Sequence, residues 1–218
     1  MQTVKRFLTL LVCLVIAFRL QAQDGLAGEI KAFKKKDSVQ APPKNPILFV
    51  GSSSFRLWPN VQADFPGYTI LNRGFGGSTL PDVTKYADDI IFPYNPKQIV
   101  IYCGENDIAS DATTAQIVFE RFEQLFTLIR KKMPKVPVAF VAMKPSPSRE
   151  KYREKLVQAN QLIKDYLAKQ SKAAYIDIYP LMMQNGISDE SLYGNDRLHM
   201  NAKGYAIWQK AIQPYLKK

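Results

Sequence analysis

One histidine and two cysteines in 218 residues narrow what this chain can do. A zinc site of the usual kind needs several imidazoles or thiolates at fixed spacing, and a lone His199 beside Cys13 and Cys103 does not supply them. No metal and no other cofactor is expected. Cys13 falls in a segment expected to be removed, so Cys103 has no partner, and without a disulfide the fold must rest on its core. Internal repeats and low-complexity blocks are missing as well. The longest apolar run, Phe7 to Phe18, is too short for a comfortable membrane span. Acidic residues are the scarcer charge, 19 against 30 lysines and arginines, for a formal net charge of +11. The basic runs Lys31 to Lys36, Arg130 to Lys135 and Lys217-Lys218 carry no interleaved aromatic platform, so they read as solvated faces and not as a nucleic-acid site. Attraction to an anionic polysaccharide or a membrane surface stays open.

What is present begins with a leader. Lys5 and Arg6, then the apolar run, then Leu20-Gln21-Ala22 with a small residue at the cut, follow the order of a secretory signal peptide over residues 1–22. Val12 before Cys13 argues against a lipoprotein anchor. The mature chain is expected to be exported, periplasmic or extracellular, with no integral membrane span and a charge of +8 once Lys5, Arg6 and Arg19 are gone. Residues 23–45 are expected to hold a short amphipathic helix, with Ile30 and Phe33 among lysines, and a linker from Ser38 to Asn45. Residues 46–218 suit one domain with one core.

Within that domain, strand and helix alternate. Ile47 to Val50, Tyr68 to Asn72, Gln98 to Cys103, Val136 to Ala142 and Ala173 to Ile178 read as five buried strands. Helical stripes lie between and after them: Val118, Phe122, Leu125 and Ile129; Tyr152, Leu156, Ala159 and Ile163; Tyr205, Trp208 and Ile212. A helix between the second and third strands is expected to start near Pro81 and to end by Phe92, before Pro93. The alternation predicts an α/β fold, a parallel sheet covered by helices on both faces.

Chemistry gathers at the strand ends. The first strand runs into Gly51-Ser52-Ser53-Ser54, which puts hydroxyls at the carboxyl edge of the sheet, where open α/β folds bind ligands. His199 is the only imidazole available as a base, and Asp196, three residues earlier, can reach its Nδ1 and fix its tautomer. After the second strand, Asn72-Arg73-Gly74-Phe75-Gly76-Gly77-Ser78-Thr79 can bend a backbone N–H toward an oxyanion, with Gly77 the candidate donor. After the third, Gly104-Glu105-Asn106-Asp107 offers the uncharged amide of Asn106. Each has a plainer reading: an incidental histidine, a tight turn, a capping residue.

Together, Gly51-Ser52-Ser53, the glycine block, Gly104-Glu105-Asn106-Asp107 and Asp196-x-x-His199 resemble, in order, the four sequence blocks of the SGNH hydrolases, also called GDSL-type esterases. The resemblance runs from about Ile47 to the last helix. It implies a three-layer α/β/α sandwich, flavodoxin-like, with five parallel strands in the order 2-1-3-4-5. It implies Ser53 as nucleophile, Asp196 and His199 completing the triad, and an oxyanion hole formed by Ser53 N–H, Gly77 N–H and the Asn106 side chain. Ser52 stands where the family has aspartate, which leaves a register with Ser52 or Ser54 as nucleophile open. The connections at this edge are short apart from Tyr179 to Asn195, so small acyl esters, those of carbohydrates among them, are the expected substrates. Arg56, Trp58 and Arg73 are candidates to line the alcohol side, against core packing or ion pairing. An acyltransferase and a non-catalytic glycan-binding module are the alternatives. Oligomeric state is not legible.

Overall fold

The computed structural model describes residues 25–218, so the expected leader lies outside the described residues. Five strands form one parallel sheet in the order β2-β1-β3-β4-β5: β1 Ile47–Gly51, β2 Ile70–Gly74, β3 Gln98–Tyr102, β4 Val138–Val141 and β5 Ala173–Ile176. The expected order is the observed one. β1 is central, with Ile47 opposite Ile70 on one side and Gln98 on the other.

The strands are apolar on both faces because both faces are covered. Leu48, Val50, Ile99, Ile101, Val138 and Phe140 pack into one core cluster. Their neighbours Ile47, Phe49, Val100, Tyr102, Ala139 and Val141 pack into another. The alternation is the two-residue period of a pleated strand. On the first face lie the N-terminal helix α1 (25–39), α4 (Leu80–Lys85), α5 (Ala87–Ile90), α7 (Ala115–Lys132) and α8 (Arg153–Ala168). On the second lie α2 (Ser53–Arg56), α3 (Val61–Asp64) and α9 (Ala202–Ile212). A one-turn helix, α6 (Glu105–Ile108), follows β3. Among the described residues no helix is long and apolar enough to cross a membrane.

Several boundaries differ from expectation. The second strand begins at Ile70 and not at Tyr68, because Tyr68 N–H closes a turn on Phe65 O and the ladder starts only where Ile70 meets Ile47. The linker starts at Gln40, not Ser38. The Ser38 hydroxyl folds back onto Lys35 O and keeps the last turn of α1 intact. The single helix expected from Pro81 to Phe92 is two, broken at Tyr86 and followed by a 3-10 turn at Phe92–Tyr94. Between Tyr179 and Asn195 the chain forms a small antiparallel hairpin, Met183–Gln184 with Ile187–Ser188, around Asn185 and Gly186, both at positive φ. An Asn-Gly pair is the usual signal for such a turn.

Candidate active site

Gly51 sets the geometry at the tip of β1. Its φ is +136°, and a Cβ there would stand 1.9 Å from Tyr102 O, so only glycine lets β1 turn this close to β3. The turn delivers Ser52, whose N–H donates to Tyr102 O at 2.9 Å, and then Ser53, the first residue of α2. Ser52 and Ser54 are buried. Ser53 lies within hydrogen-bonding reach of the histidine: His199 Nε2 is 2.8 Å from Ser53 Oγ.

His199 is held from behind. Its Nδ1 lies 2.5 Å from Asp196 Oδ2, and the other carboxylate oxygen accepts the N–H groups of His199 at 2.9 Å and Leu198 at 3.0 Å. The same aspartate thus shapes the loop and orients the ring. Arg197, at φ +56°, makes the bend possible, and Gly194 N–H to His199 O at 2.8 Å closes it. Asn201 then caps α9 through Lys203 and Gly204 N–H. The slight burial of Asp196 works to raise its pKa, but the N–H groups of His199 and Leu198 and the imidazole outweigh it and hold the carboxyl at about 2. It therefore stays ionised at any working pH.

Gly77 and Asn106 join this constellation through the strand ends and not by direct contact with the histidine. Ser78 Oγ lies 3.1 Å from both Gly51 O and Phe75 O, which share its one proton, and Ser78 O accepts from Asn106 Nδ2 at 3.0 Å. Gly77 has φ +70°, and nothing stands within 4 Å of where its Cβ would be, so the loop is open at that point. Among the described residues neither Ser53 N–H nor Gly77 N–H has an acceptor, and Asn106 Nδ2 spends one of its two protons on Ser78 O. These are spare donors at one edge of the sheet.

Three features escaped the sequence. First, α1 reaches into the site: Glu29 Oε1 accepts Gly76 N–H at 3.0 Å, and Glu29 Oε2 lies 3.8 Å from Arg56 Nε. Second, Glu105 and Asp107 on either side of Asn106 are buried anchors. Asp107 Oδ2 accepts Leu80 N–H at 3.0 Å, and Oδ1 pairs with Arg121 at 2.9 Å. Glu105 is bound by Lys144 Nζ at 2.6 Å, by Tyr102 OH at 2.6 Å and by Ser146 Oγ. Burial alone would raise the Glu105 carboxyl, yet the Lys144 ammonium and the two hydroxyls hold it below the usual carboxylate range. Third, Ser148 N–H donates to Arg197 O at 3.0 Å, tying the segment after β4 to the loop that carries Asp196 and His199. No linear signal marked these contacts, and Lys144 stands three residues past the end of β4. Its partner lies 39 residues away.

Two crevice candidates are elsewhere. Trp58 is buried in the second core cluster, with Nε1 on Asp64 at 2.5 Å. Arg73 is buried and paired with Asp37, between the rings of Phe33 and Tyr94. Arg56 remains at the rim, its side chain 45% exposed.

A doubly covered parallel sheet with a serine, a histidine and an aspartate in hydrogen-bonded series at its carboxyl edge defines a serine hydrolase, and the chain is one that hydrolyses esters. Residues 47–207 match the GDSL-like lipase/acylhydrolase family, and the chain belongs to that family. It is 26% identical over 194 residues to platelet-activating factor acetylhydrolase IB subunit alpha1 of Rattus norvegicus, covering 83% of this chain and 78% of the relative. Among solved structures it resembles a Streptococcus pneumonia protein described as a platelet activating factor, with TM-score 0.81, 19% identity, and coverage of 94% of this chain and 99% of the other. It also resembles a GDSL-like lipase of Bacteroides thetaiotaomicron, with TM-score 0.73, 21% identity, and coverage of 85% and 96%. At these identities the two structures speak for the fold alone.

Proposed function

We propose that the chain is an exported esterase of small acyl groups, working through an acyl-enzyme on Ser53. The series Ser53 Oγ, His199 Nε2, His199 Nδ1, Asp196 Oδ2, at 2.8 and 2.5 Å, carries this reading. His199 takes the Ser53 proton as Oγ attacks the ester carbonyl. The alkoxide-like oxygen of the tetrahedral intermediate is met by Ser53 N–H, Gly77 N–H and Asn106 Nδ2, the spare donors described above. His199 then returns the proton to the departing alcohol, and water repeats the sequence in reverse to free the acid. Asp196, ionised throughout, stabilises the imidazolium that forms between these steps.

The small-acyl preference rests on the segment from Tyr179 to Asn195. Met182, Leu192 and Tyr193 are buried in the core that supports α9, and the large apolar side chains the segment leaves exposed are two, Leu181 and Ile187, six residues apart, too few to cover a long chain. The curated rat relative is named an acetylhydrolase, which fits the same preference. The alcohol is a hydrophilic one, a carbohydrate by preference, and the signal-like order of residues 1–22 supports export. The test is a series of p-nitrophenyl esters. Acetate should be turned over faster than octanoate, and the reverse order would remove the small-acyl reading.

A further inference from the structure

The charge balance around Asn106 leaves one cation unspent. Arg149 lies in a 3-10 segment, Pro147–Tyr152, and Nη2 leans on Asn106 Oδ1 at 3.4 Å, a long contact. Arg149 is half-buried, and among the described residues no carboxylate pairs with it. Other arginines nearby are paired: Arg56 with Glu29, Arg153 with Glu150, Arg197 with Glu190 and Arg121 with Asp107. A guanidinium carries five donors in a planar fork suited to carboxylate or phosphate, and the contact to Asn106 occupies at most one.

The backbone presenting this fork is fixed from two sides. Arg149 N–H closes on Ser146 O at 2.8 Å, and Ser146 Oγ sits against Glu105 and accepts from Lys144 Nζ at 2.8 Å. Pro145 O accepts Ser188 Oγ at 2.9 Å and Tyr193 OH as well. Ser148 N–H is bound to Arg197 O, within the loop of Asp196 and His199. The backbone is fixed while the guanidinium, with one long contact to the Asn106 amide, keeps its other donors for a group bound beside that amide. Because the acyl group is small, the negative charge it would meet belongs to the alcohol.

We propose that Arg149 is a specificity-determining residue that selects acyl esters of anionic alcohols, those carrying a carboxylate or a phosphate within reach of the guanidinium. The inference rests on the triad reading given above. A charge-assisted pair at a half-buried site exceeds the value of a fully exposed one, so the expected preference is about five- to tenfold in kcat/KM. Because the fork is partly open to solvent, salt should erode it.

Three acetates of similar size test this: 4-acetoxybenzoate, 4-acetoxyphenyl phosphate and the neutral 4-acetoxybenzamide, each rate divided by its uncatalysed rate. The wild-type chain should favour at least one anionic ester over the amide, the better of the two identifying the anion. Arg149→Gln should bring the ratio close to one, mainly through KM, and Arg149→Lys, which keeps the charge without the fork, should retain part of it. Equal ratios in wild type and Arg149→Gln would overturn the proposal. So would an Arg149→Gln variant that loses the same factor on all three acetates, since Arg149 would then act only by orienting Asn106. Ser53→Ala is the separate control: activity surviving there on every acetate defeats the triad reading, while the charge ratio of the wild type is still read.

Discussion

Replacing Lys144 by methionine would keep the bulk and length of the side chain and remove only its charge. Lys144 is fully buried, Glu105 is 4% exposed, and the ammonium donates to Glu105 at 2.6 Å and to Ser146 at 2.8 Å. Without it the carboxylate keeps only the hydroxyls of Tyr102 and Ser146 and cannot reach bulk water. Removing one partner of a buried ion pair costs about 3–5 kcal/mol, because the remaining charge is stranded. Against a total stability of about 5–15 kcal/mol for an ordinary domain that is a large share. For a chain of this size it corresponds to a fall in Tm of roughly 6–20 °C. Urea unfolding followed by circular dichroism should show the midpoint falling with the slope unchanged, since the surface exposed on unfolding is the same. Adding Glu105→Gln should recover part of the loss, as a neutral amide is cheaper to bury than an unpaired carboxylate. Glu105 also precedes Asn106 on a helix of a single turn, so the folded variant should show a lower kcat. A Lys144→Met protein within about 1 kcal/mol of wild type would refute the reasoning. The buried network would then be no anchor for α6.

His199→Ala should lower kcat by roughly four to six orders of magnitude, and Ser53→Ala combined with it should add little, because the two act as one unit. Stopped assays with p-nitrophenyl acetate measure both. Asn106→Ala should cost about a hundredfold to a thousandfold in kcat, one donor of the oxyanion hole, with KM for the same ester nearly unchanged. For Asp196, whose carboxyl is held at about 2 against an ordinary 3.8, the stabilisation is fully present above the ordinary value and is lost only as pH falls toward the lower one. The difference in urea midpoint between wild type and Asp196→Asn should therefore shrink as pH falls below about pH 4.

The sheet was legible because its strands are buried on both faces. Ile47 to Val50 and Ile99 to Tyr102 are unbroken apolar runs, and their order follows from alternation with helices. Asp196 and His199 were legible because three residues separate them and a local turn suffices. The contacts that missed reading are long-range and polar. Glu29 meets Gly76 across 47 residues, and Lys144 meets Glu105 across 39. In the linear chain Glu29 looks like one polar position of an amphipathic helix, and Lys144 like the first residue of a proline-rich loop. Nothing local distinguishes a lysine that leaves a strand toward solvent from one that turns back under the sheet edge. Arg73 was open between the crevice and an ion pair, and the chain does not name its partners, since Asp37 and Tyr94, which bury it, are distant in sequence.

The central claim is that Ser53, and neither neighbouring hydroxyl, is the atom His199 activates. A fluorophosphonate probe forms a stable bond only to an activated serine. The peptide from Asn45 to Arg56 holds Ser52, Ser53 and Ser54 together, so fragmentation must locate the adduct. The account predicts a single adduct on Ser53, absent from His199→Ala. An adduct on Ser52 or Ser54, or labelling that survives loss of His199, would contradict it.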